Sequence, residues 1–336
     1  MKPRKTTILS IDGGGIRGII PAVVLGYIEK KLQRESGNVN ATLADYFDLV
    51  AGTSTGGILA CYYLLPPKSE HGNYFANGAI DLYVRHGKDI FNRSFFRLGV
   101  ARSKYSVARL ESILKDYMGD VTLAETRKNC IITAYDITQR KAVFFTSPEA
   151  RKHKHRNYLL RDVARATSAA PAYFELATAR SLGGANSYLI DGSVFAGNPT
   201  MCAIVEANKI KFGGNSKPPS INDLYIVSVG TGKAKEKYDH QKAKNWGAMQ
   251  WARPMIDILL SASAEVVDYQ IKQLFYLAGC SDCYVRLEPE LGKAKPEIDN
   301  VSNTNIQQLI DAGEYYIKDH VNQLDKIVEN LIKNNL

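Results

Sequence analysis

The 336-residue sequence predicts an α/β fold: a mostly parallel central sheet with helices on both faces. Three observations carry that expectation. Strand-like stretches at 7–11, 46–51, 130–135, 187–190 and 224–229 alternate with helical stretches through most of the chain. The run from Asp45 to Ala51 is apolar and aromatic, as a strand buried on both faces should be. Two glycine-rich turns, Asp12–Gly18 and Gly52–Gly56, sit where a strand hands over to a helix. The chain is long enough to bury a large core and shows no Pro/Gly/Ser linker, repeat or low-complexity tract. One domain over 1–336 is expected, with its core at about 6–320.

The first strand, Thr7-Ile8-Leu9-Ser10-Ile11, runs into Asp12-Gly13-Gly14-Gly15-Ile16-Arg17-Gly18, and the apolar Ile19–Leu25 then reads as a helix. Such a loop presents backbone N–H groups at a helix start, where developing negative charge is stabilised. Gly13-x-Gly15-x-x-Gly18 also fits a dinucleotide fingerprint, which needs an acidic residue at the end of a second strand about twenty positions on. Glu35 is near that spacing, but Lys30–Ser36 reads as a helix tail, so a nucleotide-binding module is the weaker reading.

Gly52-Thr53-Ser54-Thr55-Gly56 follows the second strand and precedes Ile58–Leu65, an apolar stretch stopped by Pro66-Pro67. That context makes it a nucleophile elbow. Ser54 stands on a sharp strand-to-helix turn, with glycines on both sides so that backbone and substrate approach closely. A nucleophile and an oxyanion-binding loop are the parts an acyl-transfer site needs most.

A serine hydroxyl also needs a proton acceptor, usually histidine. His71, His86, His153, His155, His240 and His320 lie mostly among charged or polar neighbours, and none follows a strand in a tight turn. Asp191 is better placed. It ends the short strand Ser187–Ile190 and opens the turn Asp191-Gly192-Ser193, at a strand terminus where α/β sheets keep their ligands.

Net charge is +9 and uneven. Residues 140–165 hold eight Lys/Arg, and residues 233–244 hold five Lys, the second cluster following the strand at 224–229 on the expected site side. The second cluster suits anionic head groups or a solvated loop. Neither interleaves aromatics with base-reading side chains, so no nucleic-acid polymer is expected. Ile90–Leu98 places Phe91, Phe95 and Leu98 at helical spacing, which suits core packing or an interfacial element. The stripe Ile306, Leu309, Ile310, Ile317, Val321, Leu324, Val328, Leu331 marks a C-terminal helical stretch over about 305–333 that packs on the body.

No apolar run approaches the roughly twenty residues that span a bilayer. The basic Met1–Lys5 leads straight into strand and glycine loop, so a cytoplasmic protein is expected. Cys61, Cys130, Cys202, Cys280 and Cys283 are odd in number and mostly scattered. Cys280-x-x-Cys283 is too little for a zinc site, and reduced thiols are the expectation. No EF-hand or carboxylate cluster suggests a metal, and no cofactor is expected.

DGGGIRG, GTSTG and an Asp-Gly turn, in this order, resemble the patatin-like phospholipases. Ala41–Asp48, Ala166–Phe174, Val227–Gly232 and the Trp246-Gly247 region extend the likeness over about residues 6–320. The resemblance implies a three-layer α/β/α sandwich and a serine acyl hydrolase that releases fatty acids from membrane phospholipids. In that scheme Ser54 attacks the ester and Asp191 is the base, with no histidine. The amides of Gly13, Gly14 and Gly15 form the oxyanion hole, Arg17 orders that loop or meets phosphate, and Thr55 supports the nucleophile. The family's second motif usually reads Asp-Gly-Gly or Asp-Gly-Ala; here it is Asp191-Gly192-Ser193. The resemblance makes a phospholipid membrane surface, at the inner face of the membrane, the expected partner. Bacterial members also include phospholipases switched on by a cyclic dinucleotide in anti-phage defence, which makes such an activator a second expected partner.

Overall fold

A computed structural model describes residues 4–67, 74–92, 103–213, 216–233 and 240–335. Eight strands form one sheet: β1 (Thr6–Ile11), β2 (Leu49–Gly52), β3 (Asn129–Asp136), β4 (Lys141–Thr146), β5 (Ala177–Arg180), β6 (Asn186–Asp191), β7 (Leu224–Val229) and β8 (Tyr284–Leu287). Their order is β5-β6-β3-β2-β1-β7-β8, with β4 also paired to β3. The pairs β3-β2, β2-β1, β1-β7 and β7-β8 are parallel. β4, β5 and β6 pair antiparallel, so the sheet is mostly parallel, as expected.

Alternation of side chains puts each central strand into two layers of core. Leu9, Ile11, Val50, Ile132 and Val227 face one cluster, while Ile8, Leu49, Ala51, Ile131 and Ile226 face the other. The first cluster is covered by the helices Ile19–Ser36, Thr55–Tyr63, Asn303–Asp319 and Val321–Asn335. The second is covered by Thr200–Ala207 and by the C-terminal part of Ala248–Leu277, through Ile271 and Phe275. Helix, sheet and helix give the three layers of an α/β/α sandwich.

The five anticipated strands all form, but the second begins at Leu49 because Leu43–Tyr46 is a helical turn. Its capping box explains the shift: Asp45 Oδ2 accepts the Thr42 N–H at 2.7 Å. The C-terminal stripe makes two helices rather than one, meeting at His320, and its buried residues include Leu309, Leu324, Val328 and Leu331. Cys280 and Cys283 are joined by a disulfide, which corrects the expectation of reduced thiols at that pair; Cys61, Cys130 and Cys202 are free. Among the described residues no helix is long and apolar enough to cross a membrane.

The register of β3 positions the site. β4 occupies one edge of β3 over Ile131–Asp136. The other edge is shared: β2 pairs with Asn129–Ile132 and β6 with Ala134–Asp136. The ends of β2 and β6 therefore point at each other along one edge, with Gly52 opposite Ile132 and Asp191 opposite Ala134.

Candidate active site

Ser54, two residues beyond Gly52, lies in that gap. Its backbone has φ 54° and ψ −125°, a conformation that a side chain rarely adopts. Such strain costs about 1–3 kcal/mol and persists where the surroundings enforce it. The enforcing contacts are close. Thr53 N–H donates to Ile11 O at 3.3 Å, and Ser54 N–H donates to Thr167 Oγ1 at 2.8 Å. A Cβ on Gly52 would stand 2.3 Å from Gly56 O, and one on Gly56 would stand 2.2 Å from Ile11 O. The helix Thr55–Tyr63 leaves directly from the turn, and Thr55 Oγ1 hydrogen-bonds the Tyr83 hydroxyl beside the cavity.

Asp191 arrives from the opposite direction on antiparallel β6. The sequence argument placed it at the C-terminal end of a strand like the others; the structure corrects the direction while keeping the place. Its carboxyl is buried, and burial pushes its pKa up from 3.8 to about 6. The Ser54 hydroxyl and the Ser193 N–H pull it back down, the latter through a hydrogen bond of 2.8 Å to Oδ1. Serine after Asp191-Gly192 thus supplies the same backbone donor that any residue there would.

Both groups open onto a cavity of about 200 Å³. Its walls are apolar, formed by Ile58, Leu82, Ile90, Phe91, Leu110 and Phe174 among others, and Gly14, Gly15 and Thr55 complete the lining. Of the Phe91–Leu98 stretch, Phe91 is part of this wall, while Arg93, Phe95, Arg97 and Leu98 lie outside the described residues. No histidine among the described residues lines it.

The glycine loop turns over the nucleophile. Gly14 and Gly15 N–H groups form no hydrogen bond among the described residues, whereas the Gly13 N–H donates to Gly197 O at 2.9 Å. Of the three amides expected to meet an oxyanion, that of Gly13 is committed to the chain beyond Asp191. Gly15 has φ +59°, and a Cβ there would meet Ile298 O at 2.2 Å. The neighbouring Ile16 N–H donates to that same carbonyl at 2.8 Å.

Arg17 does not reach the Ser54 cavity. Its backbone N–H and Nε both donate to Gly14 O, at 3.2 and 3.4 Å, and it lines a separate polar cavity of about 840 Å³ behind the loop. Of its two expected tasks, ordering the loop is the one these contacts support. Asp12 opens the loop with its N–H on Val229 O at 3.0 Å. Arg286 of β8 donates to Asp12 Oδ2 at 2.6 Å and to Ser228 Oγ at 2.9 Å, and is paired with Glu288 as well. Sequence inspection missed Arg286, Thr167 and Ile298. Each acts through contacts more than a hundred positions away, which no local spacing reveals.

Glu35 lies within the helix Ile19–Ser36, so it does not end a second strand beside the glycine loop, and the dinucleotide reading loses its acidic residue. The basic cluster at 140–165 is partly structural: Arg151 bonds Ala124 O and Asn129, and Arg165 is buried against Glu111. In the second cluster Lys233 pairs with Glu265, and residues 234–239 lie outside the described ones.

Comparison with known proteins gives the family. The model of the family described as patatin-like phospholipase matches residues 9–204. Patatin-like protein 2 of Oryza sativa subsp. indica is 33% identical over 351 residues, covering 96% of this chain and 86% of that protein. Patatin-like protein 2 of Arabidopsis thaliana is 34% identical over 337 residues, covering 93% and 83%. A crystal structure of VipD from Legionella pneumophila aligns with 94% of this chain and 67% of its own, at a TM-score of 0.39 and 12% identity. The chain belongs to the patatin-like phospholipases, a family of lipid acyl hydrolases.

Proposed function

We propose that this protein hydrolyses fatty-acyl esters of membrane phospholipids through a Ser54–Asp191 dyad. The observation that carries the reading is the facing of β2 and β6 on one edge of β3, which brings a strained serine and a buried carboxyl together above an apolar cavity. The apolar walls suit an acyl chain, whose burial gains about 0.8 kcal/mol per CH₂.

In the forward step Asp191 takes the Ser54 proton as Oγ attacks the ester carbonyl. The N–H groups of Gly14 and Gly15 receive the oxyanion, and Asp191 returns the proton to the departing lysophospholipid oxygen. Water, deprotonated by the same carboxylate, then releases the fatty acid and restores the Ser54 hydroxyl. An aspartate raised to about 6 is ionised at neutral pH yet basic enough to accept a proton, which an ordinary surface carboxylate does less well.

The test is fatty-acid release from mixed phospholipid liposomes by the wild type and by Ser54→Ala. Release by wild type alone establishes the reading. Equal release by both proteins, or none from folded wild type with or without cyclic dinucleotides, refutes it. Release that needs a cyclic dinucleotide identifies the same chemistry under a gate.

A further inference from the structure

We propose that Cys280, Cys283 and Lys5 form a thiol–disulfide exchange site that takes low-molecular-weight thiols. The two cysteines are joined across a Cys-x-x-Cys turn that precedes β8, and the Lys5 ammonium sits against both sulfurs. Its Nζ is 2.7 Å from Cys283 Sγ and 3.1 Å from Cys280 Sγ, with a further bond to Asn222 O at 3.0 Å. The backbone next to it is fixed too, since Lys5 N–H donates to Asn334 Oδ1 at 2.9 Å just before β1 begins.

An ammonium gains little from a neutral disulfide and much from a thiolate, because a hydrogen bond to a charged acceptor is about twice as strong. Lys5 therefore favours the reduced, ionised form and makes Cys283 the better leaving group. Access points the same way. Cys280 is partly exposed and open to attack, whereas Cys283 is buried beside the cation. Asp282 opposes a thiolate, but it is exposed, screened by solvent and shared with Lys326. A structural staple has a different profile: it closes a long loop, and a separation of 3 residues constrains the unfolded chain least.

The exchange balances as follows. An external thiolate attacks Cys280 Sγ, the Cys280–Cys283 bond breaks, and its electron pair stays on Cys283 Sγ opposite the Lys5 ammonium. A second external thiolate attacks the outer sulfur of the mixed disulfide. That step releases the oxidised small-molecule disulfide and a Cys280 thiolate, which takes a proton from water. Two external thiols are oxidised and the protein pair gains two electrons.

The full-length protein is equilibrated in glutathione buffers of graded ratio, then quenched by alkylation and weighed intact, as wild type, Lys5→Met and Lys5→Arg. Lys5→Met is expected to lower the equilibrium constant for reduction about tenfold, near 30 mV for a two-electron couple, with Lys5→Arg close to wild type. Equal constants for Lys5→Met and wild type would overturn the proposal. So would a wild-type pair that stays oxidised in excess reduced glutathione. If Lys5→Met does not fold, the wild type decides alone. Alkylation rate against pH should place the reduced Cys283 below the ordinary thiol value of about 8.5, and a value at or above that refutes the site.

Discussion

Arg286 reaches from the edge strand β8 to Asp12, the first residue of the glycine loop, with its guanidinium 2.6 Å from Oδ2 and both side chains buried. Burial raises the Asp12 carboxyl to about 7, and the Arg286 guanidinium pulls against that shift. Removing one partner of a buried pair leaves the other charge without compensation, at about 3–5 kcal/mol. Arg286→Met should therefore lower stability by that amount and depress hydrolysis by loosening the loop. In urea unfolding, the double variant Arg286→Met/Asp12→Asn should lose less than the sum of the two single changes; strict additivity would show that the pair is not coupled.

Ser54→Ala and Asp191→Asn should each reduce fatty-acid release to background while the protein stays folded. Substituting His71, His86, His153, His155, His240 or His320 one at a time should leave release within a few-fold of wild type. A folded histidine variant with no activity would replace the dyad with another base.

The pH dependence follows from burial of Asp191. As the proton acceptor it must be ionised, so kcat/KM should rise through about pH 6 and then level off. Stability should run the other way. The unfolded chain ionises Asp191 near 3.8, whereas the folded protein holds the proton until about 6, so folding weakens as pH rises between those values and is flat above. Asp12 and Glu29, both raised to about 7 chiefly by burial, act in the same direction. Asp191→Asn removes the Asp191 share, about 3 kcal/mol above pH 6. Its melting temperature should therefore exceed wild type at pH 8, with the difference shrinking toward pH 4.

Gly15→Ala would place a methyl 2.2 Å from Ile298 O at a backbone φ of +59°. The loop must shift to admit it, taking with it the amides proposed to receive the oxyanion. Losing one such donor typically costs about 100- to 1,000-fold in kcat. Steady-state kinetics should show that loss in kcat with a smaller change in KM; unchanged kcat would remove Gly15 from the machinery.

The parts of the site that were legible in the sequence are those made locally. Gly52, Ser54 and Gly56 constrain one turn, and the Gly13–Gly18 spacing constrains one loop, so short motifs display them. Asp191 was legible as a residue, but its route was not. A parallel strand and an antiparallel one end in the same Asp-Gly turn, and only the pairing of Ala134 with Asp191 tells them apart. Strand β8 was passed over because Tyr284-Val285-Arg286-Leu287 carries a charge in mid-strand, which turns inward to meet Asp12. The commitment of the Gly13 amide to Gly197 depends on where two distant loops meet, and no local pattern encodes it.

The family match ends at residue 204, yet β1, which leads into the glycine loop, is flanked on one side by β7 at Leu224–Val229. A fragment cut at the boundary of the match would expose Thr6–Ile11 as an unprotected hydrogen-bonding edge, open to pairing with any other copy. It would also lose Ile298, Thr231 and Arg286, which hold the loop from outside. Such a fragment carries both Ser54 and Asp191 and should precipitate rather than turn over substrate. In this chain the segment that holds Ser54 and Asp191 is shorter than the segment that closes the sheet around them.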